Sequence, residues 1–121
     1  MFRLTSATDF ERVRRDGRSH AHPLAVLVAC RRPDQPALPT RCGFTAGRRV
    51  GSALRRNRAR RLLREAVRAR QADLAPGWDL VFIARPALAQ SRLAEVAPVV
   101  EQLLRRARVL KDSVSDVEHD G

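Results

Sequence analysis

Residues 55–70 read RRNRARRLLREAVRAR, with eight arginines and a single carboxylate, Glu65. The chemistry open to such a set is anion binding. Guanidinium forks grip phosphate oxygens two at a time, and the neutral amide of Asn57 can hydrogen-bond a base edge, a ribose hydroxyl or a neighbouring backbone. At 100° per residue Ala59, Leu62, Leu63, Ala66 and Val67 share one side of a helix, the side that must pack on a sheet. Asn57, Arg60, Arg61, Arg64 and Arg68 take the opposite side as a ridge about three turns long, which Glu65 can offset only in part through i,i+4 contact with Arg61. Arg56 and Arg58 flank Asn57, and Arg48 and Arg49 precede the helix. Cations are therefore concentrated where a helix dipole favours anions, and a local rule broken in this way is more expected at a functional site than on a solvated face.

The whole chain carries 24 Lys+Arg against 13 Asp+Glu in 121 residues, a formal net charge of +11. Eleven of the arginines fall between Arg41 and Arg70, where there is one acid. Clustering of this kind is the footprint of a nucleic-acid binder, although charge alone does not separate DNA from RNA. The length predicts one compact domain over residues 1–111, followed by a disordered tail at 112–121 with four acids and no lysine or arginine. No stretch approaches the roughly 20 apolar residues that span a bilayer and none reads as a signal peptide, so the expectation is a cytoplasmic protein with no membrane partner. Cys30 and Cys42 sit in strand-like runs and read as reduced structural thiols; His20, His22 and His119 lack cysteine partners at metal-ligand spacing. With no NTPase, serine-hydrolase or zinc-protease signature, no side chain is expected to be catalytic and no protein metal site is expected.

The elements that must position the arginines follow from pattern. TSATDFERVRRDG predicts a short helix capped by Thr8, with Glu11 in capping-box register, a stop at Gly17, and Phe10 and Val13 on one face. Pro23–Arg31 and Thr40–Gly47 read as strands, and the proline-rich segment between them predicts a hairpin with antiparallel neighbours. Ser52 caps a helix of roughly twenty residues that ends at Pro76 and Gly77. Leu80–Ala84 is a continuous apolar run suited to a central strand. Ser91 caps a last helix with Leu93, Val96, Val100, Leu103 and Leu104 on its stripe, which Pro98 either kinks or starts late.

RRVGSALRRNRARRLLREAVR, from Arg48 to Arg68, resembles the signature of the bacterial ribonuclease P protein family, centred on Arg56-Asn57-Arg58. The likeness extends to LTSATDFERVRRDGRS at Leu4–Ser19, to RCGFTAGRRVG, and to DLVFIARP at Asp79–Pro86. It implies an α+β, ribosomal protein S5 domain 2-like fold: a small mixed sheet with about three helices, in α-β-β-β-α-β-α order, with a left-handed βαβ crossover against the usual right-handed rule. It further implies an RNA-binding subunit that assists a catalytic RNA in removing the 5′ leader from precursor tRNA, with hydrolysis and its Mg2+ belonging to the RNA. By resemblance Arg48, Arg49, Arg56, Asn57, Arg58, Arg60, Arg61, Arg64 and Arg68 bind RNA, and Phe10, Val13, Arg14 and Val28 line a cleft for the leader. Arg14 and Val28 stand where aromatics are common and the chain has no tyrosine, which implies leader contact through Arg14 and apolar surface more than through stacking. The implied partners are one ribonuclease P RNA per protein chain and precursor tRNA. The alternative is a ribosomal or other structural RNA-binding protein of the same fold with no part in cleavage.

Overall fold

The computed structural model describes residues 1–111, so the expected acidic tail lies outside the described residues. The elements are β1 (Phe2–Arg3), α1 (Ala7–Asp16), β2 (Arg18–Ala21), β3 (Ala25–Arg31), β4 (Arg41–Ala46), α2 (Ala53–Arg68), β5 (Trp78–Ala84) and α3 (Leu93–Arg106). They make an α+β fold with one mixed sheet in the order β1-β4-β5-β3-β2.

That order overturns the expected hairpin, because β3 and β4 are not neighbours. β5 lies between them, antiparallel to β3 from Ala25↔Ala84 to Arg31↔Trp78 and parallel to β4 from Arg41↔Asp79 to Ala46↔Ala84. The physical reason lies in both segments. A connection over 32–40 easily spans the roughly 10 Å taken up by one intervening strand, and the apolar run of β5 is most stable with both edges paired and both faces covered. The hairpin partner of β3 is instead β2, reached through a tight turn in which the His22 N–H donates to the Ala25 carbonyl at 2.9 Å.

Strand alternation then divides the core. Leu27, Ala29, Cys42, Phe44, Leu80 and Phe82 face α2 and α3, whereas Val28, Cys30 and Val81 face α1 and pack with Leu4 and Val13. The five apolar positions of the arginine helix, Ala59, Leu62, Leu63, Ala66 and Val67, are all buried as the wheel requires. Both cysteines are free and buried, and burial pushes the Cys42 thiol up to about 12.

Helix ends differ from expectation. Ser6 rather than Thr8 caps α1, its Oγ accepting from the Asp9 N–H at 3.4 Å, because Ser6 holds the extended backbone a cap needs. α2 stops at Arg68, well before Pro76, since the chain turns at Gln71–Asp73 and Leu74 bridges to Leu110. Arg92 rather than Ser91 stands at the cap of α3: its N–H donates to Glu95 Oε1 at 3.0 Å, while Ser91 Oγ donates to the Ala87 carbonyl. Pro98 sits inside α3 without delaying its start, and Leu93, at the first turn, is exposed instead of joining the stripe.

Candidate nucleic-acid interface

The arginine ridge begins where β4 ends. Arg48 and Arg49 lie exposed on a single 3-10 turn, Arg48–Val50, and Ser52 Oγ then accepts the Arg55 N–H at 3.3 Å to start α2. With one helix face fixed on the sheet, Asn57, Arg61 and Arg68 are exposed and Arg60 and Arg64 half-buried. A groove of about 490 Å3 runs along Leu54, Asn57, Arg58, Arg60, Arg61 and Arg64. Asn57 Oδ1 accepts from Arg60 Nη2, which orients both side chains. The expected Glu65–Arg61 pair does not form among the described residues, so no acid of the helix neutralises the ridge. Leu54 was missed by sequence reasoning: it is 80% exposed and gives the groove an apolar wall suited to a base or ribose. Its i+3 and i+4 spacing to Asn57 and Arg58 was the available signal.

Arg56 and Arg58 differ from the rest. Arg58 donates from Nε to the Ala89 carbonyl at 2.9 Å and from Nη2 to the Ser91 carbonyl at 3.0 Å, clamping α2 to the segment before α3. It is therefore structural in part, as well as a wall of the groove. Arg56 Nε is buried without a hydrogen-bond acceptor among the described residues.

The four residues assigned to a leader cleft separate into two pairs. Phe10 and Arg14 line a depression of about 390 Å3 between α1 and the sheet, together with Thr45. The Phe10 ring packs on Gly43, where an added Cβ would stand 2.5 Å from Cζ and would have to displace the ring. Val13 and Val28, by contrast, are 0% and 4% exposed and belong to the packing between α1 and the sheet. They set where α1 lies and are not open to a ligand. Half-buried Thr45, Ile83 and Val26 were missed; they form a row across β4, β5 and β3 at the same end of the sheet. Their signal was parity, since they alternate in register with Val81 and Val28.

Behind that cleft, Asp79 of β5 is fully buried on the α1 side. Arg12 of α1 and Arg41 of β4 hydrogen-bond its carboxylate, the latter at 2.8 and 2.9 Å, and Arg32 Nε stands 3.8 Å away. Burial pushes the Asp79 carboxyl up, but hydrogen bonds from Arg41 and Arg12 outweigh it and the net shift is downward. Asp9 bridges the same two arginines at 3.5 and 3.6 Å. Among the described residues no three His, Cys, Asp or Glu side chains gather as metal ligands, and the oxygens of Asp79 are already taken by guanidiniums. These carboxylates do not fit a protein-held Mg2+. Nor is any described helix long and apolar enough to cross a membrane.

Comparison with known proteins places the chain by family and by fold. A family model described as Ribonuclease P matches residues 1–108. The chain is 44% identical over 116 residues to the ribonuclease P protein component of Roseiflexus castenholzii, covering 95% of this chain and 93% of the relative. It is 37% identical to that of Herpetosiphon aurantiacus, covering 98% and 94%. Among solved structures it superposes on the RNase P protein of Staphylococcus aureus with TM-score 0.80 at 24% identity, over 91% of this chain and 98% of that one. The RNase P protein of Thermotoga maritima gives TM-score 0.75 at 27% identity, over 86% and 98%.

Proposed function

The chain belongs to the ribonuclease P protein family, and from that membership we propose how it serves as the RNA-binding protein subunit of the holoenzyme that cleaves tRNA precursors. Residues 1–111 act as one domain, one chain per ribonuclease P RNA, in the cytoplasm. The α2 ridge binds the RNA subunit and nearby substrate backbone through Arg48, Arg49, Arg56, Asn57, Arg60, Arg61, Arg64 and Arg68. The depression at Phe10, Arg14 and Thr45 takes the 5′ leader of precursor tRNA. Phosphodiester hydrolysis, with its Mg2+, belongs to the catalytic RNA; this chain's residues bind and orient.

The observation that carries this reading is the acid-free ridge of α2, opposite a face buried against the sheet and α3. Folded RNA must hold its own phosphates close together, and fixed guanidiniums release the counterions that would otherwise do so. Cleavage should therefore depend on the chain most where Mg2+ is scarce. Adding it to the catalytic RNA and a precursor tRNA at low Mg2+ is expected to raise cleavage at least about tenfold, with the gain shrinking as Mg2+ rises. An unchanged cleavage rate at low Mg2+ would sink the proposal. The junction of the two surfaces supports shared work, because Thr45 of the leader depression lies three residues before Arg48 of the ridge.

A further inference from the structure

A separate set of arginines borders a depression walled by the one tryptophan of the chain, at the opposite end of β5 from Ile83. Trp78 opens β5 and Arg31 closes β3 as cross-strand partners, with the Arg31 guanidinium 5.0 Å from the indole centre. Arg18 of β2 pairs with Ala29 of β3, so the two-residue repeat puts Arg18, Arg31 and Trp78 on the face that α3 covers. α3 ends there, with Arg106 in its last turn and Arg108 just after it. Beside the Arg31–Trp78 pair lies a depression of about 430 Å3, with Ala29 as floor, Trp78 as wall and Arg18, Arg106 and Arg108 around the rim. No carboxylate lines it. The rim is fixed in part by the fold, since Arg106 Nη1 donates to the Ala21 carbonyl at 2.7 Å.

Arg108 carries the argument furthest. α3 ends in a Schellman motif, the Val109 N–H donating to the Leu104 carbonyl at 3.3 Å and the Arg108 N–H to the Arg105 carbonyl at 3.1 Å. Arg108 has φ 58°, the left-handed position that glycine usually fills, and is the one non-glycine residue with positive φ among those described. Complementing the helix dipole does not require it, because Arg105 and Arg106 already occupy the last turn. A strained arginine facing an acid-free aromatic pocket is accounted for by what it can hold there.

We propose that this pocket is a second RNA site, taking an unpaired nucleotide with its base against Trp78 and its flanking phosphates at Arg18, Arg106 and Arg108. Guanidinium planes and tryptophan are the surfaces on which unstacked bases settle, and the rim matches the phosphates in charge. His20, beside the rim, is held below its ordinary range by burial and by Arg106 and Arg18, so at neutral pH it offers a hydrogen bond rather than a charge. The proposal rests on the reading of the chain as an RNA-binding subunit; the nucleotide comes from either the ribonuclease P RNA or precursor tRNA.

The test is Arg108→Gly, alone and with Arg18→Ala, in the full chain. Thermal unfolding is measured beside binding over a salt series, to ribonuclease P RNA alone and, in the assembled holoenzyme, to precursor tRNA. Arg108→Gly should raise the melting temperature yet weaken binding about fivefold, lowering the slope of log affinity against log salt by about 0.7–0.9; Arg18→Ala deepens the loss. Loss with ribonuclease P RNA alone supports the site and assigns the nucleotide to the RNA subunit, and loss only with precursor tRNA supports it and assigns the substrate. Unchanged affinity and salt slope in both arms overturn the site while the subunit's function stands. A wild-type chain that binds neither RNA overturns both.

Discussion

Around Asp79, Arg12 and Arg41 direct their donors at one buried carboxylate and Arg32 stands close by; along α2, Arg60, Arg61 and Arg64 border a groove with no acid in it. The side chain is the same and its work is opposite. Where the counter-charge is built into a strand, arginine ties α1 and β4 to β5 and its charge is spent within the fold. Where the counter-charge is missing, the charge remains available to another molecule. Arg58 falls between these cases, since its donors meet neutral carbonyls that fix geometry without cancelling charge.

The largest expected effect comes from removing the internal counter-charge. Asp79→Asn should lower stability by about 3 kcal/mol, read from urea midpoints at pH 7, because it leaves half-buried guanidiniums with only the more distant Asp9 as counter-charge. The sign of its pH dependence follows from the downward shift of the Asp79 carboxyl. Its contribution is full above the ordinary carboxyl value of about 3.9 and is lost as pH falls through the lower folded value, so wild type and variant should begin to approach each other below about pH 3.9 and meet only below the folded value. Coincident midpoints at pH 7 would break the contrast between the two arginine sets.

Next in size, replacing Arg60, Arg61 and Arg64 together by alanine should weaken RNA binding about a hundredfold, about 2.7 kcal/mol, and flatten the salt dependence. Stability should stay within about 0.5 kcal/mol of wild type, because the change relieves like-charge repulsion. A melting temperature that falls in step with affinity would mean that the ridge, too, holds the fold together. The smallest effect sharpens the comparison. Arg58→Ala should cost about 1.5 kcal/mol of stability for its two charged hydrogen bonds, together with a several-fold loss of affinity, and Arg58→Lys should recover affinity more than stability. Parallel unfolding and RNA titrations of the two variants separate these contributions.

Much of the ridge was legible in sequence because a helix repeats every 3.6 residues, and the five apolar positions from Ala59 to Val67 could lie on one face only. β5 was legible as a central strand for a similar reason, its apolar run being continuous. What lies on either side of it was not, since the pairing of Ala25–Arg31 with Trp78–Ala84 leaves no local mark and the nearer segment looks like the better partner. Asp79 gave a faint sign, an acid opening an apolar run, but its burial depends on arginines from three distant segments. Phe10 and Val13 share a helix face in sequence, and only the tilt of α1 over Gly43 decides that one borders the opening and the other the core.

The insertion of β5 between β3 and β4 also governs the order in which the molecule can be assembled. β2 and β3 meet across a tight turn and can zip early, whereas β3 and β4 must wait for a strand that joins β3 across about fifty residues, a slow closure in entropic terms. Until it arrives each has an unmatched edge, the kind of edge that pairs with other chains. A nascent or truncated chain ending before Trp78 is thus no smaller version of the domain. It is two open strand edges beside a highly cationic helix, and its first hazard is self-association.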